Sequence, residues 1–259
     1  MTLLDPGVRT RTGLATQIAV LGAPASATTV FEESWRDYVF AEIWARPGLD
    51  RRSRYWISLA GAAIVGEAPE QLAGYMAGAL KGGDVTLIEL REAALHMAVY
   101  AGWTIGAAFD RAATRAAEAL GLPPVTREPI RGAPWDPATR LEEGAERFRA
   151  VMTFPGPQPN APYYERGVLN FVFGEMWMRP GLDQRARRWM TLVGVAESAA
   201  EVPIQTHVYA AVASGNATVE EMHEFVLQYA VHAGWPKASV LQDAVFKQAP
   251  RAAAGEPFG

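Results

Sequence analysis

Cysteine is missing from all 259 residues. Its absence removes disulfides, thiolate nucleophiles and thiolate-held metals together. Lysine is scarce, at positions 81, 237 and 247 alone, so the positive charge is nearly all arginine. The planar arginine fork suits carboxylate recognition, and a GC-rich coding sequence produces the same bias. There are only four histidines, and no two stand at a metal-ligand spacing with carboxylates on the same helical face, so no metal site is expected. A net charge of −4 lacks the basic excess that nucleic acid requires. No apolar run reaches about 18 residues. The opening MTLLDPGVRTRTGLATQIAV has an early Asp and Pro instead of a charged start and a long apolar core, so it does not read as a secretory leader. A soluble, cytoplasmic protein without nucleic-acid or membrane partners is expected. Also missing are a G-x-S-x-G elbow, a P-loop, a dinucleotide fingerprint and any useful period-two strand pattern.

What is present is a repeat. FAEIWARPGLD (40–50) returns as FGEMWMRPGLD (173–183), and RRSRYWISLAGAAI from Arg51 returns as QRARRWMTLVGVAE from Gln184. YMAGALKGGDVTLIE from Tyr75 matches HVYAAVASGNATVEE from His207, and LHMAVYAGW from Leu95 matches LQYAVHAGW from Leu227. The offset falls from 133 to 132 between these blocks, so one residue is lost. A period this long indicates a duplicated domain instead of a solenoid, each copy being roughly 120 residues. The Pro- and Gly-rich stretch 121–137 reads as the linker. Two units are expected, 1–125 and 126–259, and the chain is long enough for two ordinary cores.

Both copies read as all-α, with about six helices each. Asp50 and Asp183 stand at N-cap positions before runs of helical period. Thr86 with Glu89, and Thr218 with Glu221, are capping boxes. The helices they open should stop at Gly102 and Gly234 in the left-handed C′ conformation, with Pro236 in the first turn of the next helix.

The repeated Glu-x-Trp-x-Arg supplies the first candidate side chains: Glu42, Trp44 and Arg46, then Glu175, Trp177 and Arg179. The residue before proline avoids the α region, which sets both arginines at helix ends. There they either cap carbonyls or turn toward a neighbouring cavity. The tryptophans either pack in the core or line that cavity. His207 replaces Tyr75 and His232 replaces Tyr100, while His96 belongs to the first copy only. A lone His in an apolar helix is either a hydrogen-bonded core residue or a proton donor, and both His and Tyr carry a polar tip on a flat apolar body. His223, after the second capping box, is expected on an exposed turn without a role.

The order of these blocks, twice over, resembles the γ-carboxymuconolactone decarboxylase family, which is similar in fold to the alkyl hydroperoxidase D group. The resemblance implies small all-helical units around a three-fold axis, so a two-unit chain would form a homotrimer that imitates a hexamer. In the hydroperoxidase branch a Cys pair lies seven and four residues before the motif histidine, and a Glu nineteen before it. Here those positions hold Ala200, Pro203 and Arg188 ahead of His207, and Ala68, Gln71 and Trp56 ahead of Tyr75, so thiol peroxidase chemistry is not expected. The decarboxylase branch implies loss of carbon dioxide from a small carboxylated lactone or related aromatic ring-cleavage product. The substrate's own carbonyl would accept the electrons, so no cofactor is implied. In this scheme His207 stabilises the dienolate and donates the proton, Arg179 or Arg187 holds carboxylate, and Glu175 orients the imidazole. Trp177, His232 and Trp235 line the second pocket, and Glu42, Trp44, Arg46, Tyr75, His96 and Tyr100 the first. The second pocket is expected to be the more active. The alternative from another class is a non-catalytic ligand-binding or assembly protein of the same fold.

Overall fold

The structure is a computed structural model that describes residues 4–23, 27–66, 69–130, 136 and 138–259. Among them there are helices and no strands. The first half runs α1 (Pro6–Leu21), α2 (Val30–Ser34), a π-helix (Trp35–Trp44), α3 (Arg51–Val65), α4 (Pro69–Gly82), α5 (Leu87–Ala101) and α6 (Trp103–Ala119). The second runs α7 (Arg140–Met152), a π-helix (Tyr163–Phe173), a 3₁₀ turn (Met176–Met178), α8 (Gln184–Ser198), α9 (Glu201–Ala213), α10 (Val219–Ala233) and α11 (Trp235–Ala253). Part of the expected linker, 131–135 and 137, lies outside the described residues.

The expected helix starts are present. Asp50 accepts from the Ser53 amide at 2.8 Å and Asp183 from the Ala186 amide at 2.7 Å. Both capping boxes are closed in the two directions. Gly102 and Gly234 do end α5 and α10, but with φ of 93° and 82° and ψ near 155°, outside the left-handed helical region expected. This conformation is accessible essentially to glycine alone, and it lets α6 and α11 begin at the very next residue.

The main core is continuous across the halves. One cluster of buried apolar side chains includes Trp56, Leu59 and Met76 together with Trp189, Val193 and Val208, and a smaller cluster surrounds Phe148, Phe173 and Trp177. Helix α3 packs on α8, while α5 crosses to α8 and α10 crosses to α3. The polar links repeat this exchange. Arg46 and Arg54 meet Glu224 of α10, whereas Arg179 and Arg187 lie beside Glu92 of α5. Arg52 reaches Asp183 at 2.7 Å, and Arg185 reaches Asp50 at 3.1 Å. Each cap aspartate therefore serves both its own helix and an arginine of the opposite half.

Candidate functional site

Helix α8 directs two adjacent arginines, Arg187 and Arg188, into the interior, and α9 brings His207 against the second of them. Arg188 is fully enclosed. Its Nε donates to Asn216 Oδ1 at 3.2 Å and its Nη2 to the Val151 carbonyl at 2.6 Å. Its Nη1 lies 3.2 Å from His207 Nδ1, and its guanidinium sits 5.2 Å from the ring centre of Trp177. No salt bridge to a carboxylate is found for Arg188 among the described residues. A buried cation without a counter-ion is costly, and burial lowers Arg188 to about 10, which still leaves it charged at neutral pH.

This contact fixes the tautomer of His207. Arginine has only donors, so Nδ1 must accept and the imidazole proton is on Nε2. Burial, and then the positive charge of Arg188, hold the imidazole well below its ordinary pKa. His207 is therefore a neutral Nε2–H donor in the unliganded protein. It is 8% exposed and is surrounded by aromatic and polar groups, with the Tyr100 ring edge-on at 5.7 Å.

The remaining wall comes from the first half. Tyr100, at the end of α5, accepts from Trp177 Nε1 at 2.8 Å. His96, one turn earlier, packs on Tyr100 at 4.9 Å and edge-on to Trp177 at 5.1 Å. His96 Nε2 lies 3.1 Å from the Arg187 carbonyl and 2.8 Å from Thr191 Oγ1, so it carries the proton. Burial is the main cause holding His96 well below its usual pKa, followed by Arg187. The second-half cluster thus joins His207, Arg188 and Trp177 to His96 and Tyr100, which the sequence reading had assigned to the first half.

An equivalent cluster stands in the first half with other chemistry. Trp44 stacks on Tyr75 at 5.5 Å, Tyr55 meets Trp44 edge-on at 5.1 Å, and His232 of α10 approaches Tyr75 at 5.9 Å. The structural counterpart of Arg188 is Tyr55, where counting back from Tyr75 had pointed to Trp56. Tyr55 donates to the Val20 carbonyl as Arg188 does to that of Val151. No cation takes the place of Arg188.

Several expected site residues are engaged elsewhere. Arg179 binds Glu92 through Nε and Nη2 at 2.7 and 2.6 Å, and its Nη1 donates to the Pro129 carbonyl. Its fork is thus a latch on α5, not a hand for substrate carboxylate. Arg46 does the same with Glu224. Arg187 is next to this latch, donating to the Arg179 carbonyl, and burial lowers it to about 10. Glu175 pairs with Arg140 and Glu42 with Arg9, so the group on His207 Nδ1 is Arg188, not Glu175. Trp235 is 53% exposed and packs beside Tyr38, on a surface cleft with His223 and Gln242. His223 itself lies within α10, hydrogen-bonded to Gln242 at 3.0 Å. Among the described residues no cluster of His, Asp and Glu could hold a metal, and no helix is long and apolar enough to cross a membrane.

Sequence reasoning passed over Arg188 and Glu92. The signal for Arg188 was the one place in the repeated α3/α8 block where Arg-Tyr-Trp became Arg-Arg-Trp. For Glu92 it was an acid at the same position of both copies, with Glu224 as its match.

The chain matches the family model described as "Carboxymuconolactone decarboxylase family" over residues 30–119, from the start of α2 to the end of α6. It is similar to nitrosuccinic acid decarboxylase npaB of Metarhizium robertsii, at 36% identity over 103 residues, 39% of this chain and 71% of that protein. It is also similar to 4-carboxymuconolactone decarboxylase of Acinetobacter baylyi, at 28% identity over 87 residues, 32% of this chain and 64% of that protein.

Proposed function

Because the chain belongs to the carboxymuconolactone decarboxylase family, we propose that it is a carboxy-lyase whose working site is the His207–Arg188 pocket. Its substrate is a small carboxylic acid with an electron-accepting group conjugated to the carbon that bears the carboxylate. A carboxylated unsaturated lactone fits this description, and so does a nitro acid such as the one in the name of the relative from Metarhizium. The observation that carries the proposal is the enclosed Arg188, without a carboxylate partner among the described residues and in contact with His207.

In the reaction the bond from carbon to the carboxylate breaks and carbon dioxide leaves. The electron pair moves into the conjugated carbonyl or nitro group, so negative charge gathers on its oxygen. His207 Nε2–H donates to that oxygen, and Arg188 behind it supplies the fixed positive potential. Three of the five N–H groups of Arg188 have nitrogen or oxygen acceptors and a fourth faces Met152 Sδ at 3.8 Å, which leaves one for an anionic ligand. His207 Nδ1 is held by the Arg188 N–H, so the imidazole stays neutral throughout, and a proton from solvent adds to the carbon to complete the product. Trp177, Tyr100 and His96 form an aromatic wall that keeps the carboxylate poorly solvated and its loss favourable.

We read the chain as two units, 1–125 and 126–259, each lending α5 or α10 to the pocket of the other, and assembling as a homotrimer. The enclosure of Arg188 also suits a protein that binds an acid without converting it. Incubating the protein with carboxylated butenolides and with small nitro and keto dicarboxylic acids, while following carbon dioxide, decides between the two. Release that depends on the protein is expected. Saturable binding of such acids with no release from any of them would leave a binding protein.

A further inference from the structure

The first-half cluster differs from its counterpart in how its polar atoms are satisfied. In the second half the indole N–H of Trp177 is bonded to Tyr100, and His207 Nδ1 to Arg188. In the first half Trp44 Nε1, Tyr75 OH and His232 Nε2 are all buried and none makes a well-formed hydrogen bond among the described residues, Trp44 and Tyr75 interacting weakly with each other. Tyr75 and Trp44 are 1% and 5% exposed. The three atoms are on neighbouring rings, with those of Trp44 and His232 centred 5.5 and 5.9 Å from that of Tyr75. Native interiors rarely leave one such group unpaired, and three together call for a partner.

The chemistry around them narrows what that partner is. Trp44 can only donate, Tyr75 can donate or accept, and the neutral His232 does one or the other at Nε2. Burial lowers His232 to about 4, so it carries no charge at neutral pH. The position of Arg188 is taken by Tyr55, whose hydroxyl is already bonded to Val20. The nearest arginines, Arg46 and Arg54, are paired with Glu224. A carboxylate would find no free cation here and would lose its hydration, whereas a neutral oxygen meets the Trp44 N–H directly.

We propose that Trp44, Tyr75 and His232 form a second binding site, for a small uncharged carbonyl compound whose oxygen accepts from Trp44. If the second pocket removes a carboxylate from a monoacid, as proposed above, its product belongs to this uncharged class. The existence of the neutral site does not depend on that step.

The probe is γ-crotonolactone, a neutral unsaturated lactone, titrated into the protein while the tryptophan indole N–H resonances are followed by NMR. The Trp44 signal is identified by its loss in Trp44→Phe. The lactone is expected to shift it saturably, and the same ring bearing a carboxylate is expected to bind at least tenfold more weakly. Tyr75→Phe should weaken the lactone about fivefold, the value of one neutral hydrogen bond, and Arg188→Gln should leave the Trp44 shift in place. A Trp44 signal that does not move means that the three groups share a water and nothing larger, and overturns the proposal. Equal binding of the carboxylated ring, or a shift at Trp177 in place of Trp44, also overturns it. No turnover is involved, so failure here leaves the carbon dioxide measurement untouched.

Discussion

Arg188 and Tyr55 occupy one position of a repeated frame, and the difference between them sets the two pockets apart. Tyr55 donates to the Val20 carbonyl in the first half as Arg188 donates to the Val151 carbonyl in the second, so a tyrosine suits this position of the frame. Arg188→Tyr is therefore expected to fold, with a melting temperature within a few degrees of the parent, and to lose about a hundredfold or more in kcat. His207→Ala should lose a similar factor, while Tyr75→Phe should change turnover by less than about threefold because it removes nothing from the second pocket. The histidines also shape stability against pH. His96, His207 and His232 all have folded pKa values below the ordinary value, chiefly through burial. Below the unfolded value of about 6.5, and down to about 4 in the case of His232, the unfolded chain binds more protons. Stability should be flat above that window and fall as pH drops through it, as thermal melts from pH 7.5 downward would show. A midpoint unchanged from about pH 7 to 5 would contradict the neutral, buried state of these rings. At this scale the sequence identified His207, Trp177, His96 and Tyr100 as candidates. It did not foresee the ion pairs of Arg179 with Glu92 and of Glu175 with Arg140, because a side chain's partner across the fold is invisible until the packing of the helices is known.

Helix ends were the most legible elements. Asp50, Asp183, Thr86 and Thr218 satisfy amides within three residues of themselves, so local sequence determines them. The π-helices at Trp35–Trp44 and Tyr163–Phe173 were not foreseen as such. About ten residues do not separate an i→i+5 pattern from an i→i+4 one, and π-helical turns gather at functional positions; here they lead into Trp44 and Trp177. The latches between elements can be ranked. Glu92 and Arg179 are 7% and 5% exposed, whereas Glu224 and Arg46 are 11% and 27% exposed. Glu92→Gln leaves buried arginines without a counter-ion and should cost about 3–5 kcal/mol. Glu224→Gln also strips the buried Arg54 of its counter-ion, and should cost less because its other partner, Arg46, can turn toward water and Arg54 keeps Gln228. Chemical denaturation of both variants measures the order, and an equal or reversed order would remove the latch from its role in holding α5.

Over the whole molecule, the all-α class and the repeated order of helices were readable, because period and capping are local. The shared core was not, because each apolar face is equally suited to its own half or to the other. With α5 on α8 and α10 on α3, neither half encloses its own core. The polypeptides 1–125 and 126–259, made separately, are expected to lack cooperative unfolding, and near-UV circular dichroism should show a native signal only when they are mixed and refolded together. Sharp, independent melting of either half alone would contradict this.

Tyr100 and His96 tie the fate of the two halves together. Under the proposed function, with the two halves read as copies, the half without an imidazole at position 75 still furnishes the wall beside His207, so a lesion in α5 would be a lesion in the proposed site. Selection for a single chemistry would then guard both halves, and the quieter one could change its own cluster but not be discarded.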